Sequence, residues 1–286
     1  MSVLFCDSNS ELWYDKAEEL GLEVIRMPYT LDGNQYYYDL GKATDFGHFY
    51  KRMREKSMPS TQGLNKFDYI DYFQPFLEKG EDIFYITFSH QLSGTFEYMY
   101  QAIAELKEQF PERKITVFDS KSICTGCGFQ VLHAAKLWKQ GATDEQLLQF
   151  LNEFRKHVVV YFAVDDLFHL KRGGRLSTAA ATIGTMLKLK PVLTVNDEGK
   201  LAIFSKEKGL VMVINKFASF VAEQGGRFDE YDVYVMDADC KEDGDKLAEK
   251  IKTATGGRAN VVRQTIGPVI ATHCGPGTVG VVFYKA

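Results

Sequence analysis

Cysteine is scarce and scattered: five residues, Cys6, Cys124, Cys127, Cys240 and Cys274, in a chain of 286. An odd, widely spaced set argues against a disulfide framework and for reduced thiols. Only one C-x-x-C occurs, Cys124-Thr125-Gly126-Cys127, and no histidine pair stands at zinc spacing, so a structural zinc has no ligand set. Long apolar runs are absent as well, and nothing approaches the roughly 18 residues a membrane span requires. Charge of one sign is not in excess: the formal net charge is -4, and nucleic-acid binding, which calls for a basic face, finds no support. The opening Met1-Ser2-Val3-Leu4-Phe5-Cys6-Asp7 has neither a basic n-region nor an apolar h-region, so a cytoplasmic location is expected.

What is present is a soluble profile, 45% hydrophobic and 25% charged, with short apolar runs alternating with amphipathic segments. Val3–Cys6, Leu22–Met27, Phe84–Phe88 and Ile115–Asp119 read as strands. Glu11–Leu20, Ala43–Glu55, Gly94–Gln109, Cys127–Lys139 and Thr143–His157 read as helices. That alternation predicts a parallel-sheet α/β/α domain over about 1–160. Beyond it, strands at Val158–Val164, Pro191–Val195, Leu201–Ser205, Asp232–Asp237, Val261–Ile266 and Thr278–Tyr284 crowd together. Helices at about Ser177–Leu187, Glu207–Gln224 and Asp243–Thr255 interrupt them, and Asn196-Asp197-Glu198-Gly199 signals a hairpin. The expected second domain, 161–286, is a mixed or antiparallel α/β domain.

Five segments carry candidate chemistry. Ser89-His90-Gln91-Leu92-Ser93-Gly94-Thr95 links a strand end to a helix start, where ligands of open parallel sheets sit and where free N–H groups suit an anion. A plain Ser/Thr helix cap has the same composition. Met58-Pro59-Ser60-Thr61-Gln62-Gly63 offers two adjacent hydroxyls for a carboxylate or phosphate, or simply caps the next helix. Ile266 through Thr278 reads as a strand delivering His273 into a Gly-Pro-Gly turn. Lys171-Arg172-Gly173-Gly174-Arg175-Leu176-Ser177 is a basic loop without the Gly-Lys-Ser/Thr ending of a P-loop. Cys124 and Cys127 form a redox pair or, more simply, pack as small apolar residues.

Seven stretches, taken in order, resemble the DegV family, which includes the fatty acid-binding subunit of bacterial fatty acid kinase. They are Cys6-Asp7-Ser8, Ser60-Thr61-Gln62, Leu92-Ser93-Gly94-Thr95, Asp119-Ser120-Lys121-Ser122, Leu170 to Ser177, Lys190-Pro191-Val192-Leu193, and Gly267 through His273 to Gly277. The resemblance implies a non-enzymatic lipid-binding protein of two α/β domains that holds one long-chain fatty acid, with no cofactor and no metal. It implies that Ser60 or Thr61, with Ser93 and the Gly94–Thr95 helix start, holds the carboxyl group, with His273 at the same end. It further implies a partner kinase that converts the carboxyl group to an acyl phosphate for phospholipid metabolism, docked at Arg172 and Arg175, and it admits transient membrane contact. The acyl tail is expected against Ile183, Met186 and Leu187. Departures from the family pattern are Gly63 in place of the usual proline, Ser-Thr in place of Thr-Ser, the cysteine pair at a usually Gly-rich helix start, and Ser205-Lys206-Glu207-Lys208-Gly209 without arginine.

Two other functions are compatible with some of these residues. A serine esterase would use Ser93 and His273, but Gln91 and Thr95 stand where a nucleophile elbow has glycines. A lipid carrier working without any kinase is the milder alternative.

Overall fold

The computed structural model describes residues 2–176 and 189–286. The helix expected at Ser177–Leu187 and the tail-lining residues Ile183, Met186 and Leu187 lie outside the described residues. The chain divides into two compact units, Met1–Thr44 with Thr61–Lys156, and Asp45–Ser60 with His157–Ala286.

The first unit is built on a four-stranded, all-parallel sheet. Its strands run in the order Glu23–Ile25, Val3–Asp7, Ile83–Thr87, Ile115–Asp119. Every residue of Ile83–Thr87 is buried, as expected of a parallel strand covered on both faces. The helices start on strong local signals. Asn65 and Asp68 form a capping box for Lys66–Leu77, and Thr143 and Gln146 form another for Asp144–Phe154. A separate hairpin pairs Pro28–Leu31 with Asn34–Tyr37. Its turn is Asp32-Gly33 with φ of 51° and 81°, the geometry of a two-residue loop that suits the twist of paired strands.

The second unit carries a six-stranded mixed sheet in the order Leu201–Lys208, Leu189–Val195, Val158–Ala163, Val279–Tyr284, Val233–Asp237, Val261–Thr265. Only the last pair is parallel. Helices Leu210–Gln224 and Lys241–Ala254 supply Val213, Phe217, Val221, Leu247 and Ile251 to a core that includes Val235, Val281 and Phe283. The hairpin at Asn196–Gly199 forms as expected: the Asn196 side chain accepts from the amides of Glu198 and Lys200. The fold is thus a parallel-sheet α/β unit followed by a mixed-sheet α/β unit.

Three local readings change. Helix Phe46–Arg54 groups with the second unit, although a single cut near 160 assigns it to the first. Tyr50 donates its hydroxyl to Ile266 O at 2.5 Å, and Arg54 pairs with the Asp239 carboxylate. The first helix starts at Tyr14 and not at Glu11. Asp7 caps a buried 3-10 turn at Ser8–Ser10, and Glu11 leaves it at φ 54°. Finally, His273 rides on a helix, Pro268–Cys274, and not on a strand. Pro268 at the first helical position has its φ already set for a helix, and Gly267 precedes it in extended backbone.

Candidate functional site

In the first unit the carboxyl ends of three parallel strands converge on a polar floor. Asp7, Ser8, Asn9, Ser10, Glu11, Thr87, Ser89, Ser120 and Ser122 are all buried. Asp7 is at its centre. It accepts from Tyr85 Oη at 3.0 Å, from the Phe88 amide at 3.2 Å and from the Asn9 amide at 3.0 Å. Burial pushes its carboxyl up to about 7, against the pull of those three donors. The strand ends are tied together by Ser120 N donating to Thr87 O at 3.1 Å and by Ser89 N donating to Ser122 O at 2.7 Å.

His90 lies above this floor. Thr87 gives its proton to Phe118 O at 3.3 Å, so its oxygen accepts from His90 Nε2–H at 2.9 Å. The ring stacks on Phe96 at 4.1 Å between centroids, and Nδ1 is 3.8 Å from the Asp119 carboxylate. Burial holds the imidazole pKa down, with Asp119 opposing.

The helix start expected to receive an anion follows. Ser93 is extended, with φ −155° and ψ 139°, and its Oγ accepts from the Thr95 amide at 3.2 Å. That is the geometry of an N-cap. A capping serine accepts through a lone pair and still has a proton to donate elsewhere. Gly94 is exposed, and a side chain built on it would meet nothing within 4 Å. Thr95 differs: it is 2% exposed, donates to Leu64 O at 3.0 Å and lies 3.0 Å from Tyr69 Oη. With its proton committed to Leu64, Thr95 accepts from Tyr69 and fixes the helix to the incoming loop. Gly63 faces it, where a Cβ would lie 3.1 Å from Thr95 Cβ. A small residue there lets loop and helix start approach closely. Thr61 is half-buried in this unit, whereas its neighbour Ser60 is exposed and belongs to the second.

Neither cysteine of the C-x-x-C carries the marks of a reactive thiol. Both are buried and unbridged. Burial pushes the Cys127 thiol well up, away from the thiolate. Among the described residues no group of three or more His, Cys, Asp or Glu is arranged to hold a metal ion. No described helix is long and apolar enough to cross a membrane.

The second unit brings together Arg172, Arg175 and His273, and adds His169, which sequence reasoning missed. His169 and Arg172 share the short helix Phe168–Arg172. Arg172 donates to Pro59 O at 2.8 Å and to Thr272 O at 3.4 Å, joining the loop before Ser60 to the helix that bears His273. A Cβ on Gly173 would come within 2.2 Å of His273 Nδ1, and one on Gly275 within 2.5 Å of His169 Cδ2. Burial first, then the charges of Arg175 and Arg172, hold His273 down to about 3, so it is a neutral imidazole at physiological pH. The signal for His169 in the sequence is its place one helical turn before Gly173, legible only once Phe168–Arg172 is known to be helical.

Comparison with known proteins gives one consistent answer. The model of the DegV family, a family of uncharacterised proteins, matches residues 2–286. A DegV domain-containing protein of Clostridium perfringens is 33% identical over 281 residues, covering 98% of this chain and 96% of its own length. A DegV family protein of Thermus thermophilus, described as fatty acid-binding, superposes with a TM-score of 0.84 at 29% identity, covering 99% of both chains. DegV of Bacillus subtilis, a fatty acid-binding protein, does so with a TM-score of 0.84 at 27% identity, again over 99% of both. With the family model spanning all but the first residue, the chain belongs to the DegV family.

Proposed function

We propose that this chain binds one long-chain fatty acid and presents its carboxyl group to a partner kinase. The observation that carries the reading is the match, over 99% of both chains, to the fatty acid-binding protein of Thermus thermophilus. The physical arrangement supports it. A tail leaving water gains about 0.8 kcal/mol per buried CH₂, so tail burial dominates affinity. The head then needs only orientation. The Ser93 proton and the Gly94 N–H supply neutral donors at the helix start, which adds a partial positive charge, while the Thr95 N–H is committed to Ser93 Oγ. Thr61 is the further hydroxyl of this unit. The parts that the resemblance gives to Ser60 and His273, in the second unit, are tested by substituting each alone.

Such a protein is a carrier, and the chemistry belongs to the kinase. A carboxylate oxygen attacks the γ-phosphorus of ATP, an O–P bond forms, the bond to the β-phosphate oxygen breaks, and ADP leaves. Arg172 and Arg175 are the proposed docking residues. Charge reversal at either is expected to reduce acyl-phosphate formation.

The first experiment extracts natively purified, denatured protein with solvent and identifies the lipid by mass spectrometry. About one equivalent of a C14–C18 fatty acid is expected, on the scale of roughly 0.8 kcal/mol per CH₂. A folded sample that yields no lipid and takes up neither oleate nor palmitate would overturn the reading. With lipid bound but no acyl phosphate formed from any kinase subunit and ATP, the carrier part would stand and the kinase part would fall.

A further inference from the structure

Capping explains Ser89 and Ser93 in the first unit, but it does not explain the imidazole between them. His90 opens the 3-10 turn His90–Leu92, and Ser93 closes it. Its ring ties three elements together. It is bonded to Thr87 at the end of Ile83–Thr87, stacked on Phe96 in the first turn of Thr95–Gln109, and turned towards Asp119 at the end of Ile115–Asp119. Tyr100, one helical turn beyond Phe96, meets the ring edge-on at 5.9 Å between centroids. A ring with these contacts sets where the turn, and with it Ser93, stands on the sheet.

The two ring nitrogens are served unequally. Nε2–H donates to Thr87 Oγ1 at 2.9 Å, so in the neutral ring Nδ1 carries a lone pair. That lone pair faces the Asp119 carboxylate across 3.8 Å, beyond hydrogen-bond range. A proton on Nδ1 would turn this contact into a charge-assisted pair, whose usual length is about 2.7–2.9 Å. The same proton would set an imidazolium against the Phe96 ring. Burial and the positive end of helix Thr95–Gln109 act in the other direction. Asp119 is held for the contact: its Oδ1 accepts the Lys121 amide at 2.8 Å, and its carbonyl accepts from Arg155 Nη1 at 3.3 Å. Tyr100 stays neutral, because burial and Asp119 raise its pKa. The imidazole and the carboxylate keep 19% and 25% of their surface exposed, enough to exchange protons with solvent.

We infer that His90 is a positioning residue for the fatty acid carboxylate, and that its protonation and the seating of that carboxylate at the Ser93–Gly94 turn favour each other. An anion at the helix start offsets the positive end of the helix, which otherwise opposes an imidazolium beside it. In return the imidazolium draws the turn towards Asp119 and adds positive charge three residues from Ser93. The coupling is reciprocal: the factor by which the anion raises the proton affinity of His90 is the factor by which the proton raises affinity for the anion. Free His90 titrates below 6.5, so fatty acid is held more tightly as pH falls below that value. The inference rests on the fatty acid reading and on Ser93 as the seat of the head group.

The test uses the whole chain, delipidated. Proton NMR follows the His90 ring signal, identified by its absence from His90→Gln, between pH 8 and pH 5 with and without palmitate. Palmitate affinity is measured over the same range for the wild type, His90→Gln and His90→Ala. Glutamine keeps a donor for Thr87 but cannot take up a proton. The His90 pKa is expected to rise by at least about 0.5 on binding, and the affinity of the wild type relative to His90→Gln to grow at least about threefold from pH 8 to pH 5. Titration of the ligand and of Asp7 is common to both proteins and cancels in that ratio. At pH 8 His90→Gln should bind more tightly than His90→Ala, since only glutamine restores the bond to Thr87. A His90 pKa unmoved or lowered by palmitate, or glutamine and alanine variants that bind alike, would overturn the inference and leave fatty acid binding standing. Palmitate bound by no form at any pH would overturn both. The NMR titration is made on the wild type and does not depend on any variant folding.

Discussion

Both units bury polar groups at the ends of their secondary elements, and they solve the problem in opposite ways. The first surrounds one acid, Asp7, with three donors and closes the floor with backbone bonds between strand ends. The second gathers two arginines and two histidines and fixes them with glycines and carbonyls. The first satisfies its central acid fully, although Asn9 Oδ1 on the same floor is buried with no hydrogen-bond partner among the described residues, and its polar groups maintain the loops that carry Ser89 to Thr95. The second sets two arginines beside two imidazoles that burial, first, and the neighbouring arginine charge, next, hold towards the neutral form.

The largest expected effect of breaking this contrast is Asp7→Ala. It strands the Tyr85 hydroxyl and the Phe88 and Asn9 amides in the core. Each unsatisfied buried group costs about 1–3 kcal/mol, so a loss of about 3–5 kcal/mol in urea unfolding is expected. A loss below about 1 kcal/mol would show that water reaches the floor.

The two regions should also respond oppositely to pH. Asp7 has a folded pKa of about 7, above its ordinary 3.8. The folded state therefore holds the proton more tightly, and the stability this contributes declines as pH rises from about 4 through 7. His273 is held down to about 3 from 6.5, so its contribution is present above 6.5 and is lost as pH falls. His133, in the first unit, is buried and held down to about 3 as well. Whole-protein curves thus mix the terms, and differences between wild type and variant are the proper measure. Asp7→Asn should flatten the slope between pH 4 and 7, and His273→Gln should flatten the one below pH 6.5. Either variant tracing the wild-type curve would remove that residue from the account.

Adjacent glycines give a finer test. Gly173→Ala meets His273 at 2.2 Å and is expected to cost about 1–3 kcal/mol, the range for overpacking, and to turn the imidazole. Gly174 stands at φ 69° with nothing within 4 Å of a built Cβ, so Gly174→Ala loses only about 1–2 kcal/mol through its left-handed backbone. The histidine signals in an NMR spectrum should move in the first variant and stay in the second. Equal movement would mean that the loop and not the ring is being displaced.

Much of the fold is legible from composition and spacing. Phe84–Phe88 is an unbroken apolar run, and a buried parallel strand needs one. Asn196–Gly199 has the turn chemistry of a hairpin and forms it. Other features depend on what sequence does not display. Asp7 to Ser10 look like an exposed cap because their side chains are polar, yet the ends of three strands bury them. Val269-Ile270-Ala271-Thr272 has strand-like residues, but Pro268 and the packing of 268–274 on 168–172 make it helical. Helix Phe46–Arg54 departs from its neighbours in sequence because Tyr50 and Arg54 find their partners more than 180 residues away. For the site, the serine at a helix start can be read from the sequence, whereas the pairing of each histidine with a distant glycine is a property of the folded backbone alone.

The smallest expected change in stability is also the sharpest question put to the helix start. Gly94 has φ −74° and ψ −4°, and open space lies where its side chain would be. Alanine fits both, so Gly94→Ala should leave stability within about 0.5 kcal/mol, as for an uninvolved surface site. Ser93→Ala removes the cap on the Thr95 amide and is expected to cost about 1 kcal/mol. Fatty acid binding separates the two readings of this turn. If Ser93 only caps, both variants bind palmitate like the wild type once corrected for the folded fraction. If a carboxylate rests on the turn, Ser93→Ala loses a donor and Gly94→Ala places a methyl group where the head group approaches. Affinity then falls several-fold in both, although only the first has lost stability. A weakened Ser93→Ala with an unaffected Gly94→Ala would keep the hydroxyl as ligand and move the head group away from the backbone of the helix start.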